Sequence, residues 1–243
     1  MVDYQFIDPQ LAALYDVTYP WAPDFDFYLP MVHAARAVLD VGCGTGTLLH
    51  AARAAGHTGR LCGLDPAEGM LARARRRTDI EWVHGDLTDA HWVREFDLVV
   101  MSGHAFQVWC TDEELHTALT AIRRALTEHG RFAFETRNPL VRAWTRWTPE
   151  NAVEVRAETG ELVRQEQQVE WVRGDLVRFS TTYRSPVWTN PKISTSTLRF
   201  LSAEALPAHL AKAGLRIAEQ YGDWSGGPYT DTSPEIITIA RPS

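Results

Sequence analysis

The chain is 243 residues long, 45% hydrophobic and 23% charged, with a formal net charge of -7. That composition fits a soluble globular protein with one α/β domain, or one domain with a sizeable insertion, long enough to bury a core without staples. The acidic balance weighs against a nucleic-acid binder, which usually shows a basic footprint. Three scattered cysteines, Cys43, Cys62 and Cys110, make neither a disulfide framework nor a Cys-x-x-Cys metal knuckle and suit a reducing cytoplasm. The opening MVDYQFIDPQ has no basic stretch followed by an apolar one, so no signal peptide is read. No apolar run approaches the roughly 20 residues that span a bilayer.

Residues 1–30 are rich in aromatics and prolines and predict a short helix near Pro9–Tyr15, then an irregular aromatic cover. AVLDV, from Ala37, is a short apolar run closed by glycines, a buried strand. TLLHAARAAG is a helix stopped by Gly56, and GRLCGLD is a strand ending at Asp65. PAEGMLARARRR is a second helix with Pro66 suited to its first turn; its arginines, Arg73 and Arg75–Arg77, read as a solvated helix end. IEWVHGD and FDLVVMSG are the third and fourth strands. TDEELHTALTAIRRALTEHG is a long helix, with Thr111 and Glu114 spaced for a capping box and Gly130 as its stop. RFAFETRNP is the fifth strand. Regular alternation of strand and helix predicts an open parallel sheet with helices on both faces.

The pattern then changes to period two. VEVRAETGELVRQEQQVEWVRGDLVRFSTTYRSP alternates and is broken at Thr159-Gly160 and Arg173-Gly174-Asp175, which are hairpin signals; STSTLRFL is another alternating run. Residues 140–201 therefore read as an inserted antiparallel platform, a substrate lid, between an N-terminal cover and α/β core over 1–139 and a C-terminal completion of that core over 202–243. In the last part, SAEALPAHLAKAG is a helix with Ser202 as cap and Gly214 as stop, followed by the strands LRIAEQY and EIITIA.

VLDVGCGTG, Val38 to Gly46, places Gly42, Gly44 and Gly46 between a strand and a helix, where ligands bind in open α/β sheets. Glycine lets such a loop turn sharply and lets a ligand lie against it. A dinucleotide fingerprint would want its third glycine at Thr47, and a pyrophosphate would meet Asp40 at the end of the strand. At about 4 Å that repulsion is on the order of 4 kcal/mol for an effective dielectric of 20. A ligand with a cationic end gains from the same charge. Asp65 ends the second strand, where a carboxylate can accept ribose hydroxyls. Met70 stands one turn into the next helix, placed to pack on an adenine face. Asp86 ends the third strand, placed to accept from an exocyclic amino group while the Leu87 N–H meets the ring. Each carboxylate alone is as readily a helix cap; three at successive strand ends lie along one sheet edge.

VLDVGCGTG, GLD, HGDL and FDLVVMSG resemble the motifs of class I, Rossmann-like S-adenosylmethionine-dependent methyltransferases of the small-molecule type. The resemblance covers residues 37–137 and, by order, the two terminal strands. It implies a seven-stranded, mostly parallel sheet with an antiparallel last strand, using S-adenosyl-L-methionine and releasing S-adenosyl-L-homocysteine. By the family pattern Asp40, Gly42, Gly44 and Gly46 hold the methionine end, Asp65 the ribose and Asp86 with Leu87 the adenine. Pro66, Met70, Ser102 and Tyr15 complete the expected cofactor set.

The segment after the fourth strand, SGHAFQVW, usually lies beside the transferred methyl, and it lacks the Asn/Asp-Pro-Pro-Tyr-like motif of enzymes that methylate nucleic-acid bases. The platform after Thr136–Pro139 resembles, in layout, the substrate lid of small-molecule methyltransferases of bacterial secondary metabolism. Tyr19, Trp21, His104, Phe106, Arg137, Trp144 and Tyr183 are the candidate acceptor residues, with Trp147, Trp171 and Trp188 further candidates for an apolar lining; alternating strand aromatics serve equally as plain core. An acceptor lone pair attacks the sulfonium methyl in line, and alignment supplies much of the rate. A base is needed only for a protonated acceptor, and His104 is the candidate by position and type; a structural histidine is the competing explanation. His209 and Tyr19 are weaker candidates. No metal-ligand spacing is present, so no metal is expected. The expected partner is a small organic acceptor methylated on oxygen or nitrogen, with no nucleic acid and no membrane, and a homodimer through the inserted strands is an option. The rival readings are methylation of a peptide or protein terminus, a cofactor-binding scaffold without activity, and an NAD-dependent oxidoreductase, against which Asp40 and Thr47 speak.

Overall fold

A computed structural model describes residues 2–243, which form a seven-stranded sheet and a separate four-stranded one. The chain opens with three helices, α1 (Tyr4–Ile7), α2 (Pro9–Thr18) and α3 (Pro23–Ala34). It then alternates through β1 (Ala37–Val41), α4 (Thr47–Ala54), β2 (Arg60–Asp65), α5 (Glu68–Ala74), β3 (Glu81–His84), β4 (Phe96–Met101), α6 (Asp112–Ala125) and β5 (Leu126–Arg137). The platform is β6 (Val153–Arg156), β7 (Leu162–Arg173), β8 (Leu176–Arg184) and β9 (Lys192–Arg199), an antiparallel meander in that order. The chain ends with α7 (Leu206–Lys212), β10 (Leu215–Tyr221) and β11 (Glu235–Pro242). The large sheet runs β10-β11-β5-β4-β1-β2-β3. Its β1, β2, β3, β4 and β5 are mutually parallel, and β11 is antiparallel to both β5 and β10.

Period-two side-chain alternation sorts these strands onto two cores. Leu39, Val99, Met101, Phe132, Phe134 and Ile236 face α6 and α7, whose Leu115, Leu119, Ile122, Leu206 and Leu210 fill that layer. Val38, Leu98, Val100, Ala133 and Ile239 face α3 and α4, meeting Tyr28, Val32, Leu48, Leu49 and Ala52. By the same parity Asp40, Glu135, Arg137 and Glu235 belong to the α3/α4 face, at the end of the sheet where the parallel strands finish.

Four expectations are corrected. The N-terminal aromatic segment is helical: Asp8 caps α2 through Gln10 N and Leu11 N, and Pro23 stands in the first turn of α3 with Asp24 and Asp26, a placement that suits its fixed φ and missing N–H. The helix begun by the Thr111/Glu114 capping box ends at Ala125, not at Gly130. Arg94 N bonds Arg124 O and Glu95 N bonds Ala125 O, drawing the chain into β5. Gly130 lies inside that strand, where a Cβ would come 2.9 Å from Leu126 Cδ2 and 3.0 Å from Phe96 O; it is needed for close packing rather than as a stop. Pro66 precedes α5 instead of starting it, because Asp65 Oδ1 takes the Ala67 N–H at 2.8 Å. Ser202 caps only a turn, through Ala205 N, ahead of α7.

The platform does not stand free. Leu11 and Leu14 of α2 pack on Val163 and Tyr183. The Tyr183 hydroxyl donates to Gln5 Oε1 at 2.6 Å, and Lys192 holds Asp8. The first helices thus tie the platform to the carboxyl edge of the large sheet, where Phe6 and Tyr15 pack on Met70.

Candidate active site

The glycine loop leaves β1 at the carboxyl edge. Gly42, Gly44 and Gly46 have φ of 73°, 55° and 80°, a region that penalises any Cβ. Space is tight as well: a Cβ would come 3.0 Å from Ala105 Cβ at Gly42 and 3.2 Å from Met70 Cε at Gly44, and at Gly46 it would run into the Trp82 ring. Gly42 N and Cys43 N bond Leu64 O, which pins the loop to β2. Asp65 then spans both halves of the edge, accepting Gly44 N–H on Oδ2 and Ala67 N–H on Oδ1, each at 2.8 Å.

Asp40 is 1% exposed, and its Oδ1 has no hydrogen-bond partner. Burial, with the charges of Asp65 and Glu135, pushes its carboxyl up to about 8. An orphaned buried carboxylate is costly, and a cationic ligand group would relieve it. Asp65 is raised as well, chiefly by burial. Glycines that admit no Cβ and an unpaired acid beside them fit the amino-acid end of S-adenosylmethionine. Met70 is buried beneath Phe6 and Tyr15 with its Cε toward Gly44. The Asp86 carboxylate is exposed at the end of β3 and takes the Thr88 N–H at 2.7 Å, while Leu87 is buried.

Beyond β4 the chain turns at Ser102 and Gly103 into His104, which holds a left-handed φ of 62°. Such a conformation costs a residue with a Cβ on the order of 1 kcal/mol or more. Glu135, 0% exposed, fixes it: Oε1 accepts the His104 N–H at 2.6 Å and Oε2 accepts the hydroxyl of Tyr28. The His104 Nε2 lies 2.9 Å from Glu235 Oε2. Burial, then the Arg137 charge, push His104 down to about 3. Burial, partly offset by Arg137, pushes Glu235 up to about 7. The 2.9 Å contact is therefore a hydrogen bond of a neutral imidazole rather than an ion pair. Near neutral pH the proton-accepting capacity of the pair resides in Glu235 more than in His104.

Arg137, which ends β5, pairs across strands with Glu235 and donates through Nη1 to Gln107 Oε1 at 2.8 Å. Both line a cleft of about 570 Å³ with Val141, Arg142, Arg146, Trp147, Thr232 and Pro234. Of the other expected acceptor residues, Trp144 packs edge-on to Phe200, and Tyr183 is buried between platform and α2. Phe106 is in the core, stacked on Phe134 at 4.2 Å. Tyr19 is half exposed beside Tyr15, with its oxygen 3.4 Å from Gln165 Nε2. Trp21 lies on the surface, where its indole N–H donates to Asp26. Of the further lining candidates, Trp147 lies in the cleft, Trp171 lies beneath Arg173, and Trp188 donates to Glu161. Glu135 and Glu235 were not expected. The available signal was one glutamate inside each of two otherwise apolar strands, FAFETR and PEIITIA.

Among the described residues no helix is long and apolar enough to cross a membrane, and no group of three His, Cys, Asp or Glu is placed to hold a metal ion. Residues 38–130 match a methyltransferase-domain family model. The chain is 26% identical over 215 residues to the cypemycin N-terminal methyltransferase of Streptomyces sp, covering 84% of this chain and 82% of that one. It superposes on the CcbJ methyltransferase of Streptomyces caelestis with a TM-score of 0.76 at 19% identity, over 98% of each chain. It superposes on the sugar N-methyltransferase KedS8 of Streptoalloteichus sp ATCC 53650 with a TM-score of 0.70 at 22% identity, over 93% of this chain and 90% of that one. With the glycine loop, the edge of carboxylates and the strand order already described, these matches give residues 38–130 a methyltransferase-domain pattern and the whole chain the fold of the Rossmann-like methyltransferases.

Proposed function

We propose that this chain transfers a methyl group from S-adenosylmethionine to the nitrogen of a small amine acceptor of secondary metabolism. The observation that carries the choice of nitrogen is the part-buried His104–Glu235 pair, whose Glu235 lines the 570 Å³ cleft. A free amine is protonated at neutral pH and must lose a proton before its lone pair can attack. A carboxyl held near 7 and hydrogen-bonded to a neutral imidazole suits that task. The names of two relatives support the same class: one is an N-terminal methyltransferase and the other a sugar N-methyltransferase.

When bound, S-adenosylmethionine supplies an electrophilic methyl. Asp40, the glycine loop and Asp65 would hold the donor, and Met70, Asp86 and Leu87 would border its adenine. Glu135 fixes the backbone of His104, and the platform with α2 screens the edge from water, which favours a reaction in which the positive charge on sulfur is lost. The acceptor gives up its proton to the His104–Glu235 pair. With Glu235 ionised, the His104 Nε2–H donates to it and Nδ1 keeps its lone pair.

A peptide with a free N-terminus is a second reading within the amine class, favoured by the cypemycin enzyme's match along most of the chain. The first experiment is a thermal-shift comparison with S-adenosylmethionine, S-adenosylhomocysteine and NAD. A ligand at 100 times its Kd stabilises by about 2.7 kcal/mol. Mass spectrometry then follows methyl addition to amino sugars, short peptides with free N-termini, and phenols. Stabilisation by both sulfur ligands with methylation of an amine is the expected result. Absence of that stabilisation overturns the cofactor assignment, and methylation confined to hydroxyls overturns the choice of nitrogen.

A further inference from the structure

The cleft that ends on Glu235 is lined by three arginines in a chain whose net charge is -7. Arg137 is the innermost, with one guanidinium N–H on Gln107 and its plane 5.6 Å from the Trp147 ring centroid. Arg142 and Arg146 stand at the rim and are exposed. Among the described residues neither takes part in an ion pair. Glu150, the next acid along the chain, turns to Thr148 instead.

The segment that carries these charges is built to stay in place. Asn138 is 0% exposed and fully engaged: its amide donates to Asp231 O and Ser233 O, and its Oδ1 accepts Leu140 N–H. Arg142 adopts a left-handed φ of 49°, with its carbonyl taken by Thr145 Oγ1. Asn151 Nδ2 donates to Arg146 O, and Trp144 and Trp147 pack on Phe200 and Phe179. Arg137 has Glu235 and Glu135 as neighbouring counter-charges, whereas Arg142 and Arg146 add two further positive charges to the same cleft on a braced backbone. Guanidinium forks match phosphate and carboxylate oxygens in paired geometry.

We propose that Arg137, Arg142 and Arg146 form a subsite for an anionic group on the acceptor, so that the amine reaches Glu235 on a molecule that also carries a phosphate or a carboxylate. This rests on the methyl-transfer reading for the role of Glu235, while the anion site itself does not. The two ends of the cleft then select opposite charges: the dyad takes the ammonium end and the rim takes the anion.

The test is calorimetric titration of the protein, loaded with S-adenosylhomocysteine, with inorganic pyrophosphate and with succinate. The variants are the double substitution Arg142→Asn with Arg146→Gln, and, as control, Arg216→Ala on the exposed side of β10. Asn is chosen at 142 because it tolerates the left-handed backbone. Saturable binding of one probe is expected, weakened at least tenfold in the double variant, unchanged in Arg216→Ala and weakened by added salt. Preference for pyrophosphate assigns a phosphate, and preference for succinate a carboxylate. No saturable binding of either probe, or equal binding by the double variant, overturns the subsite. Unchanged uptake of S-adenosylhomocysteine by the double variant shows that it is folded. Failure of the wild type to bind S-adenosylhomocysteine counts against the methyltransferase reading alone, because the anion titration can still be read.

Discussion

Replacing Asp40 by asparagine should make the ligand-free protein more stable while removing most of its affinity for the cofactor. The carboxyl titrates at about 8 in the folded chain against an ordinary value of 3.8. The folded state therefore holds a proton that the unfolded state gives up between these values. Its contribution to stability is complete below pH 3.8 and drains away as pH rises to 8, at about 1.4 kcal/mol per pH unit. The full loss is on the order of 4–6 kcal/mol before relaxation. Asparagine cannot ionise and so removes this loss, but its amide leaves polar atoms unsatisfied at a cost of about 1–3 kcal/mol. The net gain at pH 8 is about 1–5 kcal/mol, or roughly 2–20 °C in Tm for a chain of this size. The gap between variant and wild type should widen from pH 5 to pH 8 and then level off. Scanning calorimetry at four pH values, with and without S-adenosylhomocysteine, measures both halves. The wild type should be stabilised strongly by the ligand and the variant hardly at all. A variant less stable than wild type at pH 8, or one with an undiminished ligand shift, would refute the orphaned-carboxylate argument.

Asp65→Ala should weaken S-adenosylhomocysteine binding at least tenfold in a calorimetric titration, and it should also lower Tm, because Asp65 holds Gly44 N and Ala67 N; near-UV circular dichroism should still show a folded chain. Gly46→Ala combines a left-handed backbone with collision into Trp82, and urea unfolding should show a loss of about 2–4 kcal/mol. His104→Ala and Glu235→Gln should each lower kcat about 10²–10⁴-fold if the pair accepts the acceptor's proton. In the wild type, turnover should rise as Glu235 ionises near pH 7, and Glu235→Gln should abolish that limb; a limb that persists would place the titrating group elsewhere.

The geometry of the glycine loop was legible in the sequence because it is local. Gly42, Gly44, Gly46 and Asp40 fall within seven residues, Asp65 closes β2, and Asp86 follows the end of β3 by two residues. The helix α3 was obscured by Pro23 and Pro30, which read as breakers although Pro23 stands in its first turn. Gly130 misled for the opposite reason: in a helical context it reads as a stop, whereas its role is to let β5 pass Phe96 O. His104 was expected beside the transferred methyl, and the structure sets it in the loop after β4 against Glu235; its ionisation was not foreseeable. That depends on Glu135, Arg137 and Glu235, which reach it from other strands.

Topology explains why Glu235 had to come from so far away. β1, β2, β4 and β5 all finish at the ligand edge, so each delivers its last residue there and the loop beyond it. A further parallel strand would also have brought only its final residues to that edge. Because β11 runs antiparallel, its first residue arrives where the others end, paired with Arg137 and 2.9 Å from the imidazole of His104, 131 residues earlier in the chain. The loop before β11 lies at the same edge, and through Ser233 and Asp231 it anchors Asn138 and with it the arginine segment. One reversed strand thus places a carboxyl against the histidine and braces the opposite wall of the cleft. The residues of the cleft are fixed by strand order, and those of the glycine loop by the local sequence at the end of a single strand.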